Sequence, residues 1–182
     1  MKVFINPGHA PNGMPDPGAC NSETGLRESD VAASIGALVK KYLEAAGCEV
    51  QMLQSDDLYV IVSTSNNWGA DVFVSIHCNS AANPEAHGAE CWHYYSSTAG
   101  QALAACIQQQ LVNSLPVTDR GTKGAKPGVN GLYVLTNTDA VACLVETAFI
   151  SNTEDEDLLE RCQDDFARAI ARGVTDYEQT MI

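Results

Sequence analysis

The chain has 182 residues, a formal net charge of −13 and a pI near 4.4, with 45% hydrophobic and 18% charged residues. This composition is typical of a globular protein rather than a disordered one, and the length predicts one domain over residues 1–182. Because so acidic a chain repels phosphate backbones, we expect no nucleic acid partner, and no apolar segment is long enough to predict a membrane span.

The first half of the chain alternates apolar runs with helical spacing. A strand is predicted over residues 2–6, followed by a loop rich in Gly, Pro and Asn that ends near Arg27. Apolar residues then recur at three and four positions, which predicts a helix that Gly47 ends. The recurring residues are Val31, Ile35, Leu38, Val39, Tyr42 and Leu43. Then come a strand at 49–53, a short helix opened by Asp56 and Asp57, and a strand at 71–77.

The second half continues the alternation. A strand at 88–95 precedes a helix capped by Ser97, and a polar, Gly-rich loop covers residues 118–131. The run at 141–145 is a buried strand, and a capping box starting at Ser151 opens the closing helices. Strands that alternate with helices predict an α/β fold, a single-domain three-layer sandwich whose mostly parallel sheet carries helices on both faces.

Three of the predicted strands end in residues that could carry chemistry. His9 follows the first strand, His77 ends the strand at 71–77, and Glu146 ends the strand at 141–145. Because sites in open α/β sheets lie at the carboxyl ends of the strands, we expect the three side chains on one rim.

Glu28 heads an otherwise apolar stripe of the first helix. A carboxylate there is costly to bury unless it is paired, and a metal ion is one such partner. The alternative is that an acid in the first helical turn only complements the helix dipole. Glu23, in the preceding loop, is the competing carboxylate.

Two histidines and one carboxylate are a common catalytic zinc set that leaves one position for water. His9, His77 and a glutamate therefore indicate a Zn²⁺ hydrolase, with Glu146 as the general base. His87 and His93 offer an alternative set, in a loop and in an apolar strand. The seven cysteines, odd in number and without a C-x-x-C pair, favour small buried hydrophobes over disulfides or thiolate ligands.

Four short motifs occur in a familiar order. They are Asn6-Pro-Gly-His9, Leu26-Arg-Glu28-Ser-Asp30, Ser75-Ile-His77-Cys-Asn79 and Glu146-Thr-Ala-Phe-Ile-Ser-Asn152. Together they resemble the zinc-dependent N-acetylmuramoyl-L-alanine amidases of the Amidase_3 type over nearly the whole chain. The resemblance departs where the family usually has Asp at the position of Asn6, and Gly at the positions of Ala10 and Ala148.

The resemblance implies roles for individual residues. His9, Glu28 and His77 match the zinc ligands, and Glu146 matches the catalytic glutamate. Asn79 and Arg120 match positions expected to contact substrate. The implied reaction hydrolyses the amide between N-acetylmuramic acid and L-alanine in bacterial peptidoglycan, in cell-wall lysis or remodelling.

Other interpretations stay open. A zinc peptidase acting on the stem peptide and a non-catalytic peptidoglycan-binding module are the main ones, whereas a nucleotide-binding protein is disfavoured because no G-x-G-x-x-G or P-loop occurs. The start of the chain lacks the apolar core of a secretory signal. We therefore expect cytosolic synthesis with release to the wall by lysis, or a fragment of an exported protein.

Overall fold

A six-stranded sheet forms the centre of the computed structural model, which describes residues 1–181. The strands are β1 (Lys2–Pro7), β2 (Glu49–Met52), β3 (Val72–Asn79), β4 (Ala89–Tyr94), β5 (Asp119–Ala125) and β6 (Val141–Phe149). Their order across the sheet is β2-β1-β3-β6-β4-β5. Every neighbouring pair is parallel except β4 and β6, which are antiparallel. The predicted mostly parallel sheet is therefore confirmed.

Over the described residues, six α-helices cover the sheet. They are α1 (Glu28–Ala45), α2 (Leu58–Trp68), α3 (Thr98–Ser114), α4 (Tyr133–Asn137), α5 (Thr153–Arg161) and α6 (Gln163–Gln179). Successive strand residues point to opposite faces, so Val3 and Ile5 join one buried cluster while Phe4 joins the other. The first cluster packs under α1, α3 and α6, and the second under α2 and α4. These two cores make the predicted three-layer sandwich. Within the described chain, no helix combines the length and the apolar character that crossing a bilayer requires.

Two residues that were predicted to begin helices are confirmed as N-caps. Asp57 caps α2 by accepting hydrogen bonds from the backbone N–H groups of Tyr59 and Val60, at 3.0 and 3.1 Å. Ser97 caps α3 by accepting one from Gly100 at 2.9 Å.

Two predictions about the second half were wrong. Residues 119–125, predicted as part of a loop, form β5, an edge strand that pairs with β4 alone. Most of its residues are exposed or half-buried, so it carries no apolar alternation by which the sequence could reveal it. The helix predicted to open at Ser151 is capped instead by Asn152, whose side chain accepts from Glu154 and Asp155 N–H groups.

Candidate metal centre and catalytic cleft

His9, Glu28 and His77 meet at the carboxyl rim of the sheet. The Nε2 atom of His9 lies 3.0 Å from Glu28 Oε2, and the Nδ1 atom of His77 lies 2.9 Å from Glu28 Oε1. One ligand atom from each residue falls within 4.8 Å of the others, the single such cluster in the part of the chain described. His9 follows β1 directly and His77 lies in the adjacent β3, so the sheet itself brings the two rings together.

Two glycines let the backbone approach the cluster. A Cβ atom on Gly18 would lie 2.5 Å from His9 Cδ2 and 2.6 Å from Glu28 Oε2. A Cβ atom on Gly8 would lie 2.4 Å from the His77 ring. The loop between β1 and α1 therefore closes on the three side chains in a way that only glycine permits at these positions.

The Glu28 carboxylate is 4% exposed and is held from several sides. The backbone N–H of Ala19 donates to its Oε2 at 2.8 Å and that of Cys78 to its Oε1 at 3.0 Å. Burial by itself would raise the pKa of Glu28, but the hydrogen bonds from His77 and His9 outweigh it and hold the pKa well below the usual range. The side chain is thus an oriented anion at neutral pH.

Asp16 is a site residue that the sequence reasoning missed. Its Oδ2 lies 2.7 Å from His9 Nδ1, and its Oδ1 accepts from Gly18 N–H at 3.0 Å. The hydrogen bonds with Glu28 and, to a lesser degree, with Asp16 raise the pKa of His9 to about 9 against the opposing effect of burial. A carboxylate beyond a histidine is a common device for orienting a metal ligand. The signal was weak because Asp16 lies in a loop without periodic structure.

Glu146 lies beside the cluster, in β6, where it is the register partner of His77 in β3. Its side chain is partly exposed toward the cleft, yet its Oε2 is buried and has no hydrogen-bond partner among the described residues. Burial raises the pKa of Glu146 to about 7, and the charges of Glu28 and Glu90 add to the rise against the opposing effect of His77. A carboxyl group with one unpaired oxygen and a near-neutral pKa suits proton transfer.

Glu90, a second missed residue, pairs with Glu146 across β4 and β6. It is 3% exposed. Its carboxylate accepts from Arg120 Nε at 2.7 Å and from the Lys123 ammonium. Burial would raise the pKa of Glu90, but the pairing with Lys123 and Arg120 outweighs it and lowers the pKa. A lone acidic residue in a predicted apolar strand was the available signal, comparable to the apolar helix stripe that singled out Glu28.

Two clefts flank the cluster. One, of about 300 Å³, is bordered by His9 and His77 and by apolar side chains of α2 and the α4 region, among them Leu58, Ile61 and Tyr133. The other, of about 190 Å³, is lined by Asn79, Glu90, Trp92, Asn130, Leu132 and Glu146. The first presents mainly apolar surface, whereas four of the six side chains lining the second, called here the polar cleft, are polar, so the two suit different parts of one extended ligand.

The expected substrate residues differ in position. Asn79 lines the polar cleft, and its Nδ2 donates to Glu90 Oε1 at 3.2 Å. Arg120 does not line either cleft. It stacks over the Phe149 ring at 4.7 Å and donates to Glu90 and to the carbonyl oxygen of His87.

The alternative ligands lie apart from the cluster. His87 is exposed in a loop, with its Nδ1 2.7 Å from the carbonyl oxygen of Glu85, and His93 is buried beside the Tyr94 carbonyl oxygen at 2.9 Å. Glu23 is exposed. All seven cysteines are free, and four of them are buried, as expected of small hydrophobes, whereas Cys20 is exposed.

Comparison with known proteins gives a consistent result. A family model described as N-acetylmuramoyl-L-alanine amidase matches residues 3–176. The chain is 33% identical over 183 residues to N-acetylmuramoyl-L-alanine amidase LytC of Bacillus subtilis (strain 168), covering 96% of this chain but only 35% of LytC. It therefore corresponds to about a third of that relative's length.

Solved structures agree with this match. N-acetylmuramoyl-L-alanine amidase AmiC2 of Nostoc punctiforme superimposes with a TM-score of 0.87 at 34% identity, covering 98% of this chain and 97% of that one. The catalytic domain of the amidase CwlV from Bacillus (Paenibacillus) polymyxa var. colistinus superimposes with a TM-score of 0.85 at 29% identity, covering 98% of both chains.

Proposed function

The chain belongs to the N-acetylmuramoyl-L-alanine amidase family, and we propose that it is a zinc-dependent hydrolase of the amide bond between N-acetylmuramic acid and L-alanine in bacterial peptidoglycan. The observation that carries the proposal is the convergence of His9, Glu28 and His77 beside Glu146 on the carboxyl rim of the sheet. The wall would be the place of action, and the whole chain, residues 1–182, the catalytic domain.

The donor set of His9, Glu28 and His77 fits zinc. Two imidazole nitrogens and a carboxylate form a common catalytic zinc set, and here one ligand atom from each residue lies within 4.8 Å of the others, close enough for all three to hold one ion. The backbone N–H groups of Ala19 and Cys78 donate to the Glu28 carboxylate and keep it facing the two histidine rings. When bound there, zinc would activate water, polarise the scissile carbonyl and stabilise the developing negative charge.

Glu146 is the better general base of the two glutamates that face each other. Glu90 accepts four hydrogen bonds, from Arg120, Lys123, Asn79 and Trp92, and its charge is neutralised by the two cations. Glu146 keeps a buried oxygen without a partner, and its pKa is raised to about 7. It can therefore accept a proton from the attacking water and give it up again at neutral pH.

The proposed role of Glu146 also predicts how the substrate binds. The proton it accepts must reach the leaving nitrogen, so the alanine side of the amide should lie over the cleft that Glu146 lines. We therefore propose that the stem peptide binds along Asn79 and Trp92, and the muramyl group in the larger apolar cleft. Arg120 would act on substrate indirectly, by holding Glu90 in the wall of the peptide cleft.

A release assay tests the proposal. Purified peptidoglycan is incubated with the protein, with and without chelator, and new amino groups are labelled and identified. We expect chelator-sensitive release of N-terminal alanine that added zinc restores, and loss of this release in Glu146→Ala. New amines on residues other than alanine would make the protein a stem-peptide peptidase. Tight wall binding without any new amine would make it a binding module.

A further inference from the structure

A chain of buried polar side chains leads from the backbone at the end of β1 to His77. Asn6 and Ser75 are register partners in β1 and β3, and Ser75 and His77 are two positions apart on the same face of β3. The Ser75 hydroxyl lies 2.9 Å from Asn6 Oδ1 and 3.1 Å from His77 Nε2. Asn6 is 2% exposed and Ser75 is fully buried, so both side chains are largely shielded from solvent.

Backbone carbonyl groups set the orientation of the Asn6 amide. Its Nδ2 lies 3.1 Å from the carbonyl oxygen of Pro7 and 3.1 Å from that of Leu53. Carbonyl oxygens accept only, so the NH₂ end of the amide must face them and the oxygen end must face Ser75. The opposite orientation would bring the amide oxygen against two carbonyl oxygens.

The direction of the remaining hydrogen bonds follows from this orientation. Asn6 Oδ1 carries no hydrogen, so the Ser75 hydroxyl donates its single hydrogen to it. Ser75 Oγ then has only lone pairs to offer His77. The hydrogen bond between them therefore requires the hydrogen to be on His77 Nε2.

We infer that, in the metal-loaded protein, Asn6 and Ser75 are positioning residues that fix His77 in the Nε2–H tautomer, so that Nδ1, which donates to Glu28 in the metal-free protein, presents its lone pair to the metal instead. This inference rests on the proposed zinc site, because Nδ1 is the atom that faces Glu28 at 2.9 Å. A neutral imidazole carries one hydrogen, and the nitrogen that lacks it is the one able to bind a metal.

The two histidines of the cluster are oriented by different means. His9 turns Nε2 to the cluster while its Nδ1 faces the carboxylate of Asp16, whose side chain is 48% exposed. His77 turns Nδ1 to the cluster while its Nε2 faces a neutral hydroxyl inside the sheet. Asp16 is partly exposed to solvent whereas Ser75 is fully buried, so His77 depends more on its single partner than His9 does.

Nuclear magnetic resonance of the ¹⁵N-labelled, zinc-loaded protein tests the tautomer directly, without any substitution. We expect long-range ¹H–¹⁵N correlations to show a slowly exchanging hydrogen on His77 Nε2 and a metal-bound Nδ1, and ¹¹³Cd in place of zinc to couple to Nδ1. Coordination through Nε2 would overturn the inferred hydrogen-bond relay from Asn6 through Ser75 to His77, while leaving the zinc site intact. Failure to bind any zinc would overturn the relay together with the proposed function.

A pair of serine substitutions tests the contribution of the relay to metal affinity. Ser75→Ala removes the acceptor of His77, whereas Ser65→Ala removes an equally buried hydroxyl in α2 whose oxygen has no hydrogen-bond partner among the described residues. Zinc affinity, measured by competition with a chromophoric chelator, should fall about 10- to 100-fold in Ser75→Ala and stay within about twofold in Ser65→Ala. Thermal unfolding of the metal-free variants verifies that both are folded. A folded Ser75→Ala protein with unchanged zinc affinity would overturn the inference.

Discussion

Replacing Glu146 by glutamine should separate catalysis from stability at one residue. Glutamine has nearly the shape of glutamate but cannot accept and return a proton, so the general-base contribution is lost. Such contributions amount to about 10²- to 10⁴-fold in rate. Because Glu146 is not among the three residues proposed to hold zinc, we expect kcat to fall by that factor while the bound zinc content stays at one ion per chain.

The same substitution should make the metal-free protein more stable at high pH. Burial raises the pKa of Glu146 from its ordinary value of 4.5 to about 7. A raised pKa means that the folded state holds the proton more tightly, so stability is full below pH 4.5 and declines as the pH rises through 7. At pH 8 the cost of the ionised carboxylate is at most about 3 kcal/mol, less what its partial exposure to solvent relieves. Glutamine avoids this cost.

Urea unfolding of the chelator-treated proteins at pH 5.5 and pH 8 measures the difference. The Glu146→Gln variant should gain stability over the unsubstituted protein mainly at the higher pH, whereas Glu160→Gln, an exposed position in α5, should change stability at neither pH. A stability difference independent of pH would contradict the raised pKa. A kcat within tenfold of normal would show that another group is the base.

Three further predictions concern the metal centre and its surroundings. Gly18→Ala places a Cβ within 2.5–2.7 Å of His9 and Glu28 atoms and should abolish measurable zinc binding in a chelator competition. The control is Gly25→Ala: Gly25 also has a positive φ, but no atom lies within 4 Å of the added Cβ, so this variant should lose about 1–2 kcal/mol of stability in urea unfolding and keep normal zinc affinity. Equal zinc affinities of the two variants would contradict the steric reasoning. Glu90→Gln leaves two half-exposed cations without their carboxylate and should lower the free energy of unfolding by about 2 kcal/mol at pH 7. Because the pKa of Glu90 is lowered, this loss should shrink as the pH falls below about 4.5, which urea unfolding at a series of pH values measures. A loss that is constant with pH would refute the pairing. Zinc binding at pH 7.5 should release about one proton, since the pKa of His9 is raised to about 9 in the metal-free protein. Calorimetry in two buffers of different ionisation enthalpy measures the number of protons released. Zero release would contradict the raised pKa of His9.

The rim of the sheet could be predicted from the sequence because its residues end apolar strands. Buried parallel strands read as continuous apolar runs, and the residue after each run lies at the carboxyl edge by necessity. His77 and Glu146 came from this reasoning, and their placement in adjacent strands follows from the order of the sheet. The assignment of Glu28 needed more, since the helix-dipole alternative was open until the resemblance was considered.

The surroundings of the rim could not be predicted, for reasons that differ from residue to residue. Asp16 lies in a loop whose course depends on Gly18 and on the rings it packs against, none of which has a periodic signature. Glu90 and its cations come together only because β5 joins the edge of β4, and that pairing leaves no apolar pattern in residues 119–125. From the sequence alone, Arg120 and Lys123 were therefore predicted to lie in a loop, and no acidic partner could be assigned to them.

The facing carboxylates of Glu90 and Glu146 show how the sheet divides two similar groups between two roles. They are opposite each other in the antiparallel pair of β4 and β6, so the negative charge of Glu90 adds to the rise that burial causes in the pKa of Glu146. The edge strand β5 supplies Arg120 and Lys123 to Glu90 alone, which fixes the charge there. Glu146, with no cation of its own and one oxygen unpaired, carries the whole cost of the repulsion and of burial. The raised pKa of Glu146 is the reason we propose it, rather than Glu90, as the proton-exchanging group. The antiparallel strand and its basic edge neighbour thus account for the choice of Glu146 as the proposed base.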